Sequence, residues 1–203
     1  MFDKYALNLL KDHLDFTAAF LQRMGIHADF VTFAGFIVGV SALPFFYMQY
    51  YPGALGCILV NRLCDGVDGA LARQSAPTES GAFLDIVMDF IFYGSVVFGF
   101  ALADPQQNGF AACLLLLSFI GTGSSFLGFA VLASQKGLRS TIYPSKGFYY
   151  LGGLTEGSET ILFFIVVCLF PGAFVPLAYI FSLLCMITTA SRVVSGYMLL
   201  RVK

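Results

Sequence analysis

Six long apolar runs divide this chain, at about 30–51, 53–73, 81–103, 109–133, 147–170 and 173–200, and each reaches the roughly 20 residues a helix needs to cross a bilayer. No other feature narrows the fold as much. Inside hydrocarbon, backbone polar groups must be satisfied within a helix or around a closed barrel. Barrels read as alternating strands of about 10 residues, and these runs do not alternate. The expectation is therefore an all-α integral membrane protein, one domain over residues 1–203, with six transmembrane helices in a single bundle. Composition agrees: 58% of residues are apolar, 11% are charged and 23 are Phe, far from the usage of soluble domains.

The segment ahead of the first run differs. Leu7, Leu10, Leu14 and Leu21 recur at helical spacing, and Lys4, Asn8, Lys11 and Asp15 recur on another face. Over residues 2–23 this predicts an amphipathic helix lying at the membrane surface. It lacks the uninterrupted apolar core and small-residue cleavage site of a signal peptide.

Lys and Arg set the orientation. With the N-terminus in the cytoplasm, Lys4, Lys11, Arg23, Arg73, Lys136, Arg139, Lys146, Arg201 and Lys203 all fall inside, and the outer turns near Tyr50–Pro52, Asp104–Asn108 and Pro171–Pro176 contain neither residue type. Both termini are thus expected in the cytoplasm. The compact chain without organelle targeting fits a bacterial inner membrane. The five cysteines all lie in the apolar runs and form no Cys-x-x-Cys pair, so neither zinc nor a disulfide framework is expected. Nothing in the net charge of −1 suggests a nucleic-acid partner.

Against this background, residues 65–89, DGVDGALARQSAPTESGAFLDIVMD, hold four aspartates. Run 2 reaches the cytoplasm at Arg73 and run 3 leaves it at Gly81, so the two helices are antiparallel neighbours. At about 1.5 Å per residue, Asp68 lies about 7 Å and Asp65 about 12 Å in from Arg73, while Asp85 lies about 6 Å and Asp89 about 12 Å in from Gly81. Two layers result, Asp68 with Asp85 and Asp65 with Asp89. Carboxylates at that depth need compensation. All-oxygen ligation favours a hard divalent ion, and Mg²⁺ commonly shares its shell with substrate phosphates. Gly66, Gly69, Ala70 and Ala72 clear bulk from the same helix, for close approach of a ligand or for helix packing.

These residues resemble a known signature. Asp65-x-x-Asp68-Gly69-x-x-Ala72-Arg73, then Gly81-x-x-x-Asp85-x-x-x-Asp89, is similar to that of the CDP-alcohol phosphotransferases, integral membrane enzymes of phospholipid synthesis. Seven residues, Gln74 to Ser80, separate Arg73 from Gly81, where that family commonly has eight. At the entry to run 1, Ala28-Asp29-Phe30-Val31-Thr32 stands where many members have Pro-Asn-x-x-Thr. The resemblance implies that Asp65, Asp68 and Asp85 hold one or two Mg²⁺ or Mn²⁺ ions, with Asp89 at the edge of the metal site. It implies that Asp89 is also the general base, and that Gly69, Ala72, Arg73 and Thr32 border the cytidine nucleotide. The implied reaction moves a phosphatidyl group from CDP-diacylglycerol to an alcohol acceptor and releases CMP. A soluble CDP-alcohol with a lipid acceptor is the alternative within the family. A divalent-cation transporter is the alternative outside it, but that would spread acidic residues through the membrane depth. The resemblance also raises a homodimer, which the residues alone do not require.

Four further charges lie in the runs. By depth, Arg62 (about 16 Å) matches Glu159 (about 18 Å), and Arg192 (about 12 Å) matches Glu156 (about 13 Å). The expectation is two structural ion pairs. The functional alternative places Arg192, Glu156 and Lys146 in the acceptor pocket. Gly35-x-x-x-Gly39 in run 1 fits close helix packing, within the bundle or between copies.

Overall fold

A computed structural model describes residues 3–136 and 153–201, with side chains from residue 11 onward. Among these residues every regular element is helical: α1 (Asp3–Arg23), α2 (Ala28–Val40), α3 (Ala42–Tyr47), α4 (Tyr51–Ser75), α5 (Glu79–Ala103), α6 (Pro105–Gln135), α7 (Gly157–Leu169) and α8 (Phe174–Arg201), with a 3-10 turn at Pro171–Ala173. Four stretches are long and apolar enough to cross a membrane: Ala28–Tyr47, Glu79–Ala103, Pro105–Gln135 and Pro171–Arg201. The other two expected spans differ for identifiable reasons. Helix α4 has 25 residues, but Arg62, Asp65, Asp68 and Arg73 interrupt its hydropathy. Helix α7 is described over only 13 residues.

Local chemistry marks the helix ends. Pro44 has no N–H to give the Val40 carbonyl, so the first span breaks at Ser41 into α2 and α3. The chain then turns through Gln49 (φ 56°), whose Nε2 donates to the Ala103 carbonyl at 2.8 Å. Helix α4 ends where Ala76 precedes Pro77, because a pre-proline residue is kept out of helical geometry. Thr78 then caps α5, its Oγ1 accepting from the Gly81 N–H at 3.0 Å. Asp104 caps α6 by accepting from the Gln107 N–H at 2.9 Å.

The expected span from residue 147 is corrected. Residues 153–156 are not helical, and α7 begins at Gly157. The start is set by a reciprocal capping box between Glu156 and Glu159, in which Glu159 Oε2 accepts from the Glu156 N–H at 3.1 Å. The preceding Gly152–Gly153 pair disfavours helix.

Aromatic packing fills the core. Phe46, Phe92, Phe100, Phe164 and Phe174 are fully buried, and Phe100 stacks on Phe174 with centroids 4.3 Å apart. A smaller cluster joins Leu14 and Ala18 of α1 to Val31, Ala70 and Leu71. Helix α1 thus docks Leu14 and Ala18 on the bundle, while Phe16 and Phe20 face outward. Gly35 and Gly39 pack inside the chain, against Cys64 for the first and against Asn61 and Phe92 for the second.

Candidate active site

The carboxylates sit where α4 and α5 both pack against α2; the two helices expected to be direct neighbours have α2 as their shared partner and meet each other mainly through side chains. Asp65 and Asp68 share one face of α4, and Asp85 and Asp89 share one face of α5, because residues three and four apart align on a helix. Asp65, Asp68 and Asp85 each offer an oxygen within 4.8 Å of the others. Oδ2 of Asp68 is buried without a hydrogen-bond partner among the described residues, and Asp68 itself is only 6% exposed. A buried oxygen of this kind is costly unless something compensates it. The space beside these groups is about 10 Å³ and is also lined by Thr32, about the size of one water or one small ion. A hard divalent cation fits this donor set: three carboxylates, one with an unsatisfied oxygen, and neither cysteine nor histidine among the described lining residues.

Asp89 stands apart. Depth paired it in one layer with Asp65, and the resemblance put it at the edge of the metal site. In the structure Arg62 reaches between the two, with Nη2 2.6 Å from Asp89 Oδ1 and Nη1 3.5 Å from Asp65 Oδ2. Tyr93 adds a longer hydrogen bond, its hydroxyl donating to Asp89 Oδ2 at 3.4 Å. Asp89 lines the same small space but is outside the group of three.

That contact corrects the expected Arg62–Glu159 pair. Arg62 belongs to the aspartates, and Glu159 serves the start of α7. Depth counting failed because residues 153–156 do not advance along a helix. Asn61 and Tyr93 were also missed. Their signal was present as spacing, since Asn61 precedes Asp65 by four residues and Tyr93 follows Asp89 by four.

The small residues of α4 divide into two sets. A side chain on Gly66 would meet Leu14 of α1 at 3.2 Å, and Ala70 is buried in the α1 cluster. Those two positions serve helix packing. Gly69 has only the Arg73 Nη1 within 4 Å of where a side chain would begin. Arg73 is exposed and Ala72 half-buried, so this edge of α4 is open. Thr32 Oγ1 donates back to the Ala28 carbonyl at 3.1 Å. Asp29, which replaces the family's Asn, would lie 2.9 Å from a side chain on Gly81.

A larger cavity of about 670 Å³ opens between α5, α6, α7 and α8, within the range of small-molecule sites. Its wall is mostly apolar, and both Arg192 and Glu156 line it. Arg192 is 7% exposed, with Nη1 donating to the Thr122 carbonyl at 3.2 Å. Glu156 Oε1 accepts from the Gly153 N–H at 3.1 Å. Tyr93 lines this cavity while contacting Asp89, so one side chain joins the two spaces. Lys146, the third residue expected in the acceptor pocket, lies outside the described residues.

Comparison with known proteins agrees with this geometry. The family model described as CDP-alcohol phosphatidyltransferase matches residues 25–191. Inner membrane protein YnjF of Escherichia coli is 51% identical over 201 residues, covering 99% of this chain and 98% of its own. A phosphatidylinositol phosphate synthase from Streptomyces avermitilis is 36% identical over 105 residues, covering 50% of this chain and 43% of its own. The solved structure of Mycobacterium tuberculosis phosphatidylinositol phosphate synthase with manganese and citrate is similar in fold, with a TM-score of 0.70 at 24% identity over 91% of this chain and 88% of that one.

Proposed function

The chain belongs to the CDP-alcohol phosphatidyltransferase family, enzymes that transfer substituted phosphate groups, and from that premise we propose that it moves a phosphatidyl group from CDP-diacylglycerol to an alcohol and releases CMP. One observation carries the reading: three carboxylates from two helices that both pack on α2 converge within 4.8 Å around a buried Asp68 oxygen that has no hydrogen-bond partner among the described residues. Carboxylates at such depth are costly unless a proton or a cation compensates them, and a divalent ion does so most fully.

In this reading Asp65, Asp68 and Asp85 hold the divalent metal. When bound, the metal neutralises charge on the donor's pyrophosphate and on the departing phosphate. Gly69 and Ala72 form the open edge of α4 along which the cytidine nucleotide lies, with Arg73 directed to its phosphates and Thr32 bordering the cluster. The acceptor alcohol occupies the 670 Å³ cavity, with Arg192 and Glu156 orienting its polar end. Asp89 takes the hydroxyl proton as the acceptor oxygen bonds to the donor's β-phosphorus, and the bond from that phosphorus to CMP breaks.

The surrounding architecture follows from the same reading. Helices α4 and α7 complete six spans with the four apolar stretches, as one domain. Charged residues on α4 are shielded by α2, α5 and α1 instead of facing lipid. Helix α1 lies at the cytoplasmic surface, the site and both termini face the cytoplasm, and the protein resides in the inner membrane as a homodimer. The Escherichia coli relative's name as an inner membrane protein supports the location.

The test is an acceptor screen. Purified protein in mixed micelles is given CDP-diacylglycerol, Mn²⁺ or Mg²⁺, and inositol phosphate, glycerol 3-phosphate or neutral alcohols, and the lipid product is identified by mass spectrometry. CMP release that requires both the metal and one alcohol is the expected result. Turnover in chelator would overturn the reading, as would metal uptake into vesicles without CMP release.

A further inference from the structure

We propose that Thr188 of α8 is a positioning residue for the acceptor cavity: its hydroxyl oxygen holds the non-helical segment ahead of α7, and so places Thr155 and Glu156 in the cavity wall. This rests on the reading of the 670 Å³ cavity as the acceptor's place.

Four successive backbone N–H groups ahead of α7 are each met by a side chain. The Gly153 N–H donates to Glu156 Oε1 at 3.1 Å. The Leu154 and Thr155 N–H groups both donate to Thr188 Oγ1, at 3.1 and 3.2 Å. The Glu156 N–H donates to Glu159 Oε2 at 3.1 Å. Inside a membrane bundle, non-helical backbone is tolerated only where it is buried in protein or lines a cavity, and its N–H groups still need partners. Two of these four depend on one oxygen atom. The Thr155 hydroxyl joins it at 3.1 Å. Of the three accepting residues, only Thr188 belongs to another helix, so it alone ties the segment to the rest of the bundle.

Steric fit locks the same contact. Gly153 lies so close to Thr188 that a Cβ there would collide with the Thr188 Cγ2, and the same Cβ would stand 3.3 Å from Arg192 Nη2. The φ of Gly153 is outside the left-handed region, so close approach and not backbone freedom calls for glycine. Thr188 and Arg192 are four residues apart and share a face of α8. Thr188 is 1% exposed and is not among the residues lining the cavity, whereas Thr155, Glu156 and Arg192 are. It therefore acts through its neighbours, fixing the wall that carries Glu156 to the helix that carries Arg192. Valine would keep the shape of Thr188 without the oxygen, and serine would keep the oxygen without the methyl group.

The experiment pairs hydrogen exchange with kinetics on the purified full chain in micelles. Thr188→Val is expected to speed exchange over residues 154–156 by about tenfold or more, because two backbone N–H groups lose their acceptor. CMP release is measured with inositol phosphate, glycerol 3-phosphate and glycerol as acceptor probes. Thr188→Val should raise the acceptor KM by about tenfold and leave the CDP-diacylglycerol KM and Mn²⁺ affinity within about twofold. Thr188→Ser should keep both exchange and acceptor KM within about twofold of the unchanged protein, since the oxygen is retained. Gly153→Ala should raise the acceptor KM by about tenfold, and adding Thr188→Ser, which removes the colliding methyl group, should recover most of that loss. This pair decides the matter even where Thr188→Val does not fold. Unchanged exchange over residues 154–156 in Thr188→Val would overturn the proposal. So would equal rises in both KM values, or additive effects of Gly153→Ala and Thr188→Ser. Failure of the underlying reading looks different: exchange in Thr188→Val quickens as expected, but the acceptor KM stays unmoved or no probe releases CMP from the unchanged protein.

Discussion

Gly35 of α2 faces Cys64 of α4 so closely that a Cβ on the glycine would stand 2.5 Å from the cysteine Cβ. The neighbouring Asn61 carries the contacts that reach Arg62, so this approach positions the aspartate site. Gly35→Ala should push the helices apart and destabilise the protein by about 1–3 kcal/mol, the range for overpacking a core. Gly56, also in α4, has nothing within 4 Å of its Cβ position. Gly56→Ala should leave the melting temperature unchanged or slightly raised, and thermal unfolding of the two variants in the same detergent makes the comparison.

Asp68 should be the most sensitive metal ligand, because its Oδ2 is buried with no hydrogen-bond partner among the described residues. Asp68→Asn is expected to remove Mn²⁺ binding and to lower turnover by more than the 10–100-fold typical of outer-shell changes. Isothermal titration with Mn²⁺ checks the first outcome and CMP release the second.

Metal should also stabilise the fold. A ligand present at 100 times its Kd adds about 2.7 kcal/mol when it binds only the native state. Mn²⁺ should therefore raise the melting temperature of the native protein, chelator should reverse the rise, and Asp68→Asn should abolish it.

The capping box at α7 predicts a local stability effect. Glu159→Ala removes the acceptor for the Glu156 N–H and should lose about 0.5–2 kcal/mol, as for other helix caps. Glu159→Gln retains the capping geometry and should lose less. Hydrogen exchange over residues 157–163 would locate the loss at the start of the helix.

Arg192 predicts a kinetic split. Arg192→Lys should raise the acceptor KM and leave the CDP-diacylglycerol KM unchanged, because the residue lines the large cavity and not the aspartate cluster. Steady-state rates with each substrate varied in turn measure both.

The amino-acid sequence determined the helical class and the convergence of Asp65, Asp68 and Asp85. Each of these follows from local periodicity: helical rise fixes depth, and three- and four-residue spacing fixes the face. The tertiary structure decided what periodicity cannot reach. Which cation meets which carboxylate depends on how helices rotate against one another, and that rotation brought Arg62 to Asp89 instead of Glu159. Depth counting also assumes an unbroken helix, and residues 153–156 are not one, so Glu156 and Glu159 became a cap. Gly66, Gly69 and Ala70 look alike along the chain. Only the docking of Leu14 separates the two that pack against α1 from the one that leaves an edge of α4 open.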